Sequence, residues 1–176
     1  MTALLLTALI NIQATAQGYP PIVTAKELYA SNDYRGKEAP KLEFGTWLTK
    51  GIPDIKGKVV LIDFWATWCG PCRALIPELN EWQKTFAKDL VVIGLSDEKP
   101  DVIGEFMRKT KMDYAVATDE SKVTSKLVGV KGIPHVMVIS PDGIVRWQGF
   151  PPMKEDTLNT AKLRQIIEAS KKSGQK

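Results

Sequence analysis

The sequence contains very few of the residues that build metal centres. It has two cysteines, Cys69 and Cys72, and a single histidine, His135. A structural zinc site commonly needs about four cysteine or histidine ligands, so this chain does not supply one. A permanent structural disulfide between the two cysteines is also disfavoured, because closing so short a loop removes little entropy from the unfolded chain.

Long apolar runs and blocks of one charge are missing as well. The net charge of +4 comes from 24 basic and 20 acidic residues that are spread along the chain. Without a basic block or an aromatic-basic repeat, nucleic-acid binding is not indicated. The apolar stretch at residues 3–10 is far shorter than the about 20 residues of a membrane span. We therefore expect no membrane span in the mature chain, and the 44% hydrophobic content suffices for the core of one domain.

The first 16 residues have the pattern of a secretory signal peptide. Their apolar stretch is followed by polar residues and by Ala14-Thr15-Ala16, an A-x-A cleavage pattern. One feature departs from the pattern, because no lysine or arginine precedes the apolar stretch. An ordinary buried N-terminal helix is the alternative. The signal predicts an exported protein, periplasmic or otherwise extracytoplasmic, that is cleaved after Ala16.

Both cysteines lie in the segment WCGPC at residues 68–72, two residues after the apolar run 59–65. Two thiols separated by two residues on a Gly-Pro turn can close a small disulfide ring and reopen it without unfolding the chain. If a helix begins near Gly70, Cys69 lies at its N-terminus, where unpaired N–H groups and the helix dipole favour a thiolate. The spacing therefore predicts Cys69 as the nucleophile and Cys72 as the thiol that resolves a mixed disulfide.

Hydrophobic periodicity predicts an α/β core at residues 58–172, preceded by an extension at 17–57 and followed by a polar tail at 173–176. In the extension, alternation on both sides of Gly45 predicts an edge hairpin. In the core, the pattern predicts strands at 58–64, 90–95, 114–117, 136–139 and 144–147, and helices at 71–87, 97–110, 119–127 and 157–170. The turn at residues 140–143 makes the last two strands an antiparallel hairpin.

Residues 60–72, Pro77 in the following helix and Gly132-Ile133-Pro134 before a strand resemble a thioredoxin-fold oxidoreductase. The export signal and the longer connection between Cys72 and Pro134 are more similar to the TlpA and ResA type than to plain thioredoxin. This resemblance implies a thioredoxin-like fold, in which a central mixed β-sheet is flanked by helices and carries an N-terminal extension.

The resemblance also assigns roles to single residues. Pro134 matches a cis-proline beside the thiols, which leaves the backbone of Ile133 free to pair with an extended substrate. Trp68, Gly70 and Pro71 are expected to contact substrate.

Asp63 matches a buried aspartate whose raised pKa lets it accept the proton of Cys72. Two acid-base neighbours known from relatives are missing. The strand at 90–95 contains no lysine, and Leu75 stands where the ResA type often has a glutamate.

His135 follows Pro134 directly, and a positively charged imidazole near Cys69 would favour its thiolate. A strand histidine without a redox role is an equal alternative. With Cys69 and Cys72, His135 also offers ligand types that suit Cu(I), which leaves a metal-binding assembly protein as an alternative function.

The leading hypothesis is a thiol-disulfide oxidoreductase that needs no cofactor beyond its own redox-active disulfide. The Gly-Pro pair favours a reductant by resemblance, and a disulfide-donating oxidant is the alternative. The expected partners are disulfide-containing exported proteins. Because stable disulfides form outside the cytosol, a dithiol kept reduced there also needs an electron-donating thiol-disulfide partner.

Overall fold

The computed structural model describes residues 18–173, so the predicted signal peptide lies outside the described residues. The extension has no helix or strand of its own between residues 18 and 58. From there the elements are β1 (Val59–Phe64), α1 (Gly70–Thr85), β2 (Leu90–Ser96), α2 (Pro100–Lys109), β3 (Ala115–Thr118), α3 (Val123–Val128), β4 (His135–Ile139), β5 (Val145–Gly149), a short 3-10 helix (Lys154–Asp156) and α4 (Thr160–Ser173). No helix in this part of the chain is long and apolar enough to cross a bilayer.

The five strands form one sheet in the order β3-β2-β1-β4-β5. β1 pairs in parallel with β2 and antiparallel with β4, and the hairpin of β4 and β5 completes the sheet. The predicted mixed sheet flanked by helices is therefore confirmed. All residues of β1 are buried, as expected for a central strand that is covered on both faces.

The two faces of the sheet are covered by different parts of the chain. On one face, apolar residues of α1 and α4 pack with Leu61 and with both cysteines. On the other face, Ile62 and Phe64 pack with side chains of the extension, including Phe44 and Trp47. Because successive side chains of a strand point to opposite faces, the thiols lie on the side of β1 opposite Phe44 and Trp47, whereas Tyr19 and Leu48 of the extension pack on the thiol-bearing side.

The hairpin predicted around Gly45 is wrong. The backbone of this segment pairs instead with β3, where Gly45 N–H donates to Thr118 C=O (2.8 Å) and Leu48 N–H donates to Val116 C=O (2.8 Å). Thr118 N–H in turn donates to Thr46 C=O (2.9 Å). β3 is the edge strand of the sheet, so the N–H and C=O groups on its outer side are free to hydrogen-bond with the segment around Gly45.

The remaining predictions differ from the structure mainly at element ends. α2 begins at Pro100, three residues later than predicted from residue 97, and α4 begins at Thr160 instead of 157. α3 begins at Val123 instead of 119, with Lys122 as its N-cap residue, and the Asp119 carboxylate accepts the N–H groups of Thr124 (3.2 Å) and Ser125 (2.7 Å) in its first turn. Helix ends depend on such local hydrogen bonds, which periodicity does not record.

Candidate functional site

The two cysteines form a disulfide at the N-terminus of α1. Cys69 is the N-cap residue of this helix, and Pro71 occupies its first turn, where a missing N–H costs nothing. The N–H of Cys72 donates to Cys69 Sγ (3.2 Å). Cys69 is 4% exposed and Cys72 is fully buried, so an attacking group reaches Cys69 first. In the reduced state the same N–H would stabilise a thiolate on Cys69.

The Ile133-Pro134 peptide bond is cis, as the sequence resemblance implied. Pro134 is buried and lines one shallow pocket together with Pro71, which places it beside the thiol-bearing turn. Ile133 is half-buried, and within residues 18–173 its backbone N–H and C=O have no hydrogen-bond partner. These groups are available to an added strand.

The carboxyl group of Asp63 is fully buried on the face of β1 that carries the thiols. Neither of its oxygens has a hydrogen-bond partner in the described part of the chain. Burial without compensation penalises the charged form and raises the pKa of Asp63 to about 8. A carboxyl group with this pKa can exchange a proton near neutral pH.

Gly94 and Tyr114 explain why no lysine accompanies Asp63. Gly94 is the residue of β2 directly opposite Asp63. A Cβ atom at Gly94 would lie 3.0 Å from Trp65 Nε1 and 3.1 Å from Tyr114 Cε2, so two aromatic rings occupy this space. Burial, together with the charge of Asp63, raises the pKa of Tyr114 well above its usual value. The registers of β1 with β2 and of β2 with β3 bring these residues together, and sequence reasoning missed Tyr114.

Glu98 is a second residue that sequence reasoning missed. Its carboxylate accepts the backbone N–H of Thr67 (2.7 Å) and the Thr67 hydroxyl (2.7 Å), and it also accepts the hydroxyl of Ser96 (3.1 Å). Thr67 lies two residues before Cys69, so the loop after β2 braces the loop that carries Cys69. No motif in the sequence signals this contact, because it joins two loops about 30 residues apart.

The predicted electrostatic role of His135 does not agree with its surroundings. His135 is fully buried, packs on the Phe64 ring (5.9 Å between centroids) and contacts Gln148 (Nε2 to Nε2, 3.1 Å). Phe64 belongs to the face of the sheet opposite the cysteines. Burial, assisted by the charge of Lys26, lowers the pKa of His135 to about 4. A neutral imidazole supplies no positive charge to Cys69. A strand histidine without a redox role therefore describes His135 better.

The same geometry bears on the Cu(I) alternative. Between residues 18 and 173, no three histidine, cysteine or acidic side chains come together as a metal site. Cys69, Cys72 and His135 therefore do not form the ligand set that this alternative requires.

The predicted substrate-contacting residues surround Cys69 at the surface. Trp68 is 72% exposed, which is unusual for so large an apolar side chain. Gly70 and Pro71 are exposed too, and a side chain at Gly70 would meet nothing within 4 Å. Trp65, in contrast, is buried against Phe106 (5.4 Å between ring centroids) and belongs to the core.

Known proteins share this arrangement of sequence and fold. A family model described as the AhpC/TSA family matches residues 35–148. Over 114 residues the chain is 34% identical to "Thiol-disulfide oxidoreductase ResA" of Bacillus thuringiensis subsp. konkukian, a match that covers 62% of this chain and 66% of the relative. Over 117 residues it is 28% identical to "Thioredoxin-like protein YneN" of Bacillus subtilis, covering 63% and 68%. The match thus spans just under two thirds of the ResA relative.

Solved structures show the same fold. A putative thiol:disulfide interchange protein DsbE from Chlorobium tepidum superimposes with a TM-score of 0.54 at 35% identity, over 65% of this chain and 82% of the other. A putative protein disulfide isomerase from Bacteroides thetaiotaomicron superimposes with a TM-score of 0.64 at 24% identity, over 80% and 94%. The second likeness concerns the fold alone.

Proposed function

The chain belongs to the AhpC/TSA family and has a thioredoxin-like fold, and on that premise we propose that it is an extracytoplasmic thiol-disulfide oxidoreductase that acts mainly as a reductant. The observation that carries this proposal is the Cys69–Cys72 disulfide at the start of α1, next to a cis-proline. The export pattern at residues 3–16 supports the location. The 34% identity to a protein named a thiol-disulfide oxidoreductase supports the reaction class.

The first step is attack by the Cys69 thiolate on a substrate disulfide. A bond forms between Cys69 Sγ and one substrate sulfur, the substrate S–S bond breaks, and the other sulfur leaves as a thiolate. The free backbone of Ile133 would hold the substrate as an added strand beside Cys69. Trp68, Gly70 and Pro71 would contact the residues around the substrate cysteine.

The second step resolves this mixed disulfide. Asp63 takes the proton of Cys72, whose thiolate attacks Cys69 Sγ, so that the Cys69–Cys72 bond forms and the bound substrate sulfur leaves. The substrate has then gained two electrons and the protein has lost them. A pKa of about 8 leaves only a minority of Asp63 ionised at pH 7, and the step should accelerate as the pH rises toward that value.

No cofactor besides the disulfide takes part in this cycle. A further thiol-disulfide protein must return two electrons to Cys69 and Cys72 after each turnover, because the compartment itself favours oxidation. Disulfide-containing exported proteins are the proposed substrates.

Insulin reduction in the presence of dithiothreitol tests the reaction class. The wild type should accelerate it, whereas Cys69→Ser should abolish the acceleration. Cys72→Ser should trap a mixed disulfide with substrate that is absent from the matched Cys69→Ser variant. If neither the acceleration nor the trapped adduct appears, the proposed function is wrong.

Equilibration with glutathione tests the direction. A reductant should have a reduction potential below about −200 mV, near the values of thioredoxins and glutaredoxins. A potential near about −120 mV, like that of the strong oxidant DsbA, would instead identify a disulfide donor.

A further inference from the structure

A cleft of about 600 Å³ opens beside the thiol-bearing turn. Trp68, which precedes Cys69, and Ile133, which precedes the cis-proline, both line this cleft. Its lining also includes Phe64 and Trp65, whose side chains are almost completely buried. A polypeptide that lies across Cys69 and pairs with Ile133 would therefore extend its neighbouring side chains into the cleft.

Three lysines and two aspartates from α3, its flanking loops and the loop after β2 line one side of the cleft, namely Lys122, Lys126, Lys131, Asp97 and Asp119. Both carboxylates already have partners. Asp97 pairs with Lys122 (2.8 Å), and buried Asp119 accepts two backbone N–H groups of α3. Neither aspartate forms an ion pair with the other two lysines, and the three lysines and two aspartates leave the lining with one net positive charge.

Lys126 and Lys131 are the cations that remain. Both are exposed, and in the part of the chain that the structure describes neither ammonium group pairs with a carboxylate. The cleft thus combines an apolar interior with a net positive charge and two exposed lysines without an ion-pair partner, beside the group that attacks the substrate. Charge complementarity of this kind steers encounter and fixes register more than it adds binding energy.

We propose that the cleft selects substrate polypeptides that carry aspartate or glutamate next to the reacting cysteine, with their carboxylates meeting Lys126 and Lys131. The inference rests on the proposed exchange at Cys69 and specifies the substrate class for it. A lysine-rich or neutral segment docks in the same orientation without this attraction and reacts more slowly.

Three synthetic peptides provide the test. Each is cyclised by one disulfide, and they differ only in the two residues that flank one cysteine, which are Glu, Gln or Lys. The reduced protein is mixed with each peptide, and the second-order rate of disulfide loss is measured. Each rate is divided by the rate of the same peptide with dithiothreitol, because acidic neighbours change the pKa of the leaving thiol and with it the intrinsic rate.

At low ionic strength the normalised rate for the Glu peptide should exceed that for the Gln peptide by about 3- to 10-fold, a modest steering effect for exposed charges, and the Lys peptide should be slowest. The advantage should shrink strongly at 1 M salt, where the screening length is about 3 Å. The double variant Lys126→Gln/Lys131→Gln should lose most of it while reducing the Gln peptide at the wild-type rate. Lys84→Gln/Lys88→Gln, an equal charge change at exposed positions near the far end of α1, should retain it.

Equal normalised rates for the Glu and Gln peptides in the wild type would overturn the inference and leave the exchange activity standing. An advantage that survives in the cleft variant would overturn it as well, because the preference would then arise elsewhere. If no peptide is reduced, the proposed function itself fails.

Discussion

Asp63 places a carboxyl group without a hydrogen-bond partner, among the described residues, in the middle of a buried strand. Its neighbours are the glycine opposite it on β2 and the tyrosine that precedes β3, and neither neutralises a negative charge. Such a site stabilises the protonated form. Its ionisation therefore costs folding stability, and in the proposed mechanism the same carboxylate accepts the proton of Cys72.

The pH dependence of stability follows from the two pKa values of Asp63. In the unfolded chain the group ionises near its ordinary pKa of 3.8, whereas in the folded protein it keeps its proton until about pH 8. Between these values the folded state binds more protons, so the free energy of unfolding falls as the pH rises, by up to about 1.4 kcal/mol per unit. Asp63→Asn should remove this slope and raise the free energy of unfolding at pH 7 by about 2–4 kcal/mol.

Urea unfolding of the oxidised protein at pH 5, 7 and 8.5 measures this effect. The exposed substitution Asp54→Asn serves as control and should leave the slope unchanged. If the wild type and Asp63→Asn show the same pH dependence, the buried carboxyl group is not the cause.

For His135 we expect no effect on the ionisation of Cys69. Its pKa of about 4 keeps the ring neutral at physiological pH, and it lies on the face of β4 away from the cysteines. His135→Gln retains a polar group for Gln148 and should leave the midpoint of pH-dependent alkylation of Cys69 unchanged within about 0.2 pH units. A clear shift of this midpoint would restore the electrostatic role.

At the level of elements, the loops that follow β1 and β2 are joined by hydrogen bonds between Thr67 and Glu98. The Glu98 carboxylate accepts two hydrogen bonds from Thr67, and the segment between Thr67 and Cys69 is thereby fixed to the sheet. Both loops lie at the carboxyl ends of neighbouring parallel strands, where functional groups commonly converge.

Glu98→Gln should weaken this brace, because the neutral amide has a single acceptor oxygen for the two donors of Thr67. We expect the free energy of unfolding to fall by about 1–2 kcal/mol and the alkylation rate of Cys69 to change with it. Denaturant unfolding and iodoacetamide kinetics provide the two readouts. The exposed variant Glu27→Gln is the control. Unchanged stability and kinetics in Glu98→Gln would mean that the brace does not position Cys69.

Element types were largely predictable, because periodicity and turn residues act within a few neighbouring residues. The buried run of β1, the amphipathic face of α1 and the hairpin turn at residues 140–143 are all contiguous signals. The hairpin predicted around Gly45 was wrong because the partner of this segment is distant in sequence. Apolar and polar residues do alternate there, but the segment pairs with the edge of β3, about 70 residues away.

Across the whole molecule, the extension is attached to the core by buried charges. The ammonium group of Lys26 donates to Asp156 (2.6 Å) and lies 3.7 Å from the centroid of the Trp147 ring. Asp156 also pairs with Lys162 of α4. One carboxylate thus connects the extension, the segment after β5 and the last helix.

Lys26→Met should destabilise the protein by about 2–4 kcal/mol, because it removes one partner of a buried ion pair and leaves Asp156 with Lys162 alone. Denaturant unfolding checks this value against Lys154→Met, an exposed position two residues before Asp156 in the sequence. Equal stability of the two variants would show that the extension does not depend on this pair.

The sequence by itself determined the thiol pair, its place at a helix N-terminus, the proline before β4 and the order of elements, since each rests on residues close together in the chain. Only the tertiary structure decided that Asp63 has Gly94 and Tyr114 as neighbours, that Glu98 braces Thr67 and that His135 faces away from the thiols. Strand register and strand alternation set these contacts, and both are settled by packing between distant segments. The WCGPC motif therefore contains the two cysteines of the disulfide, and the fold around it places Asp63 on the same face of the sheet and opens the cleft lined by Trp68 and Ile133.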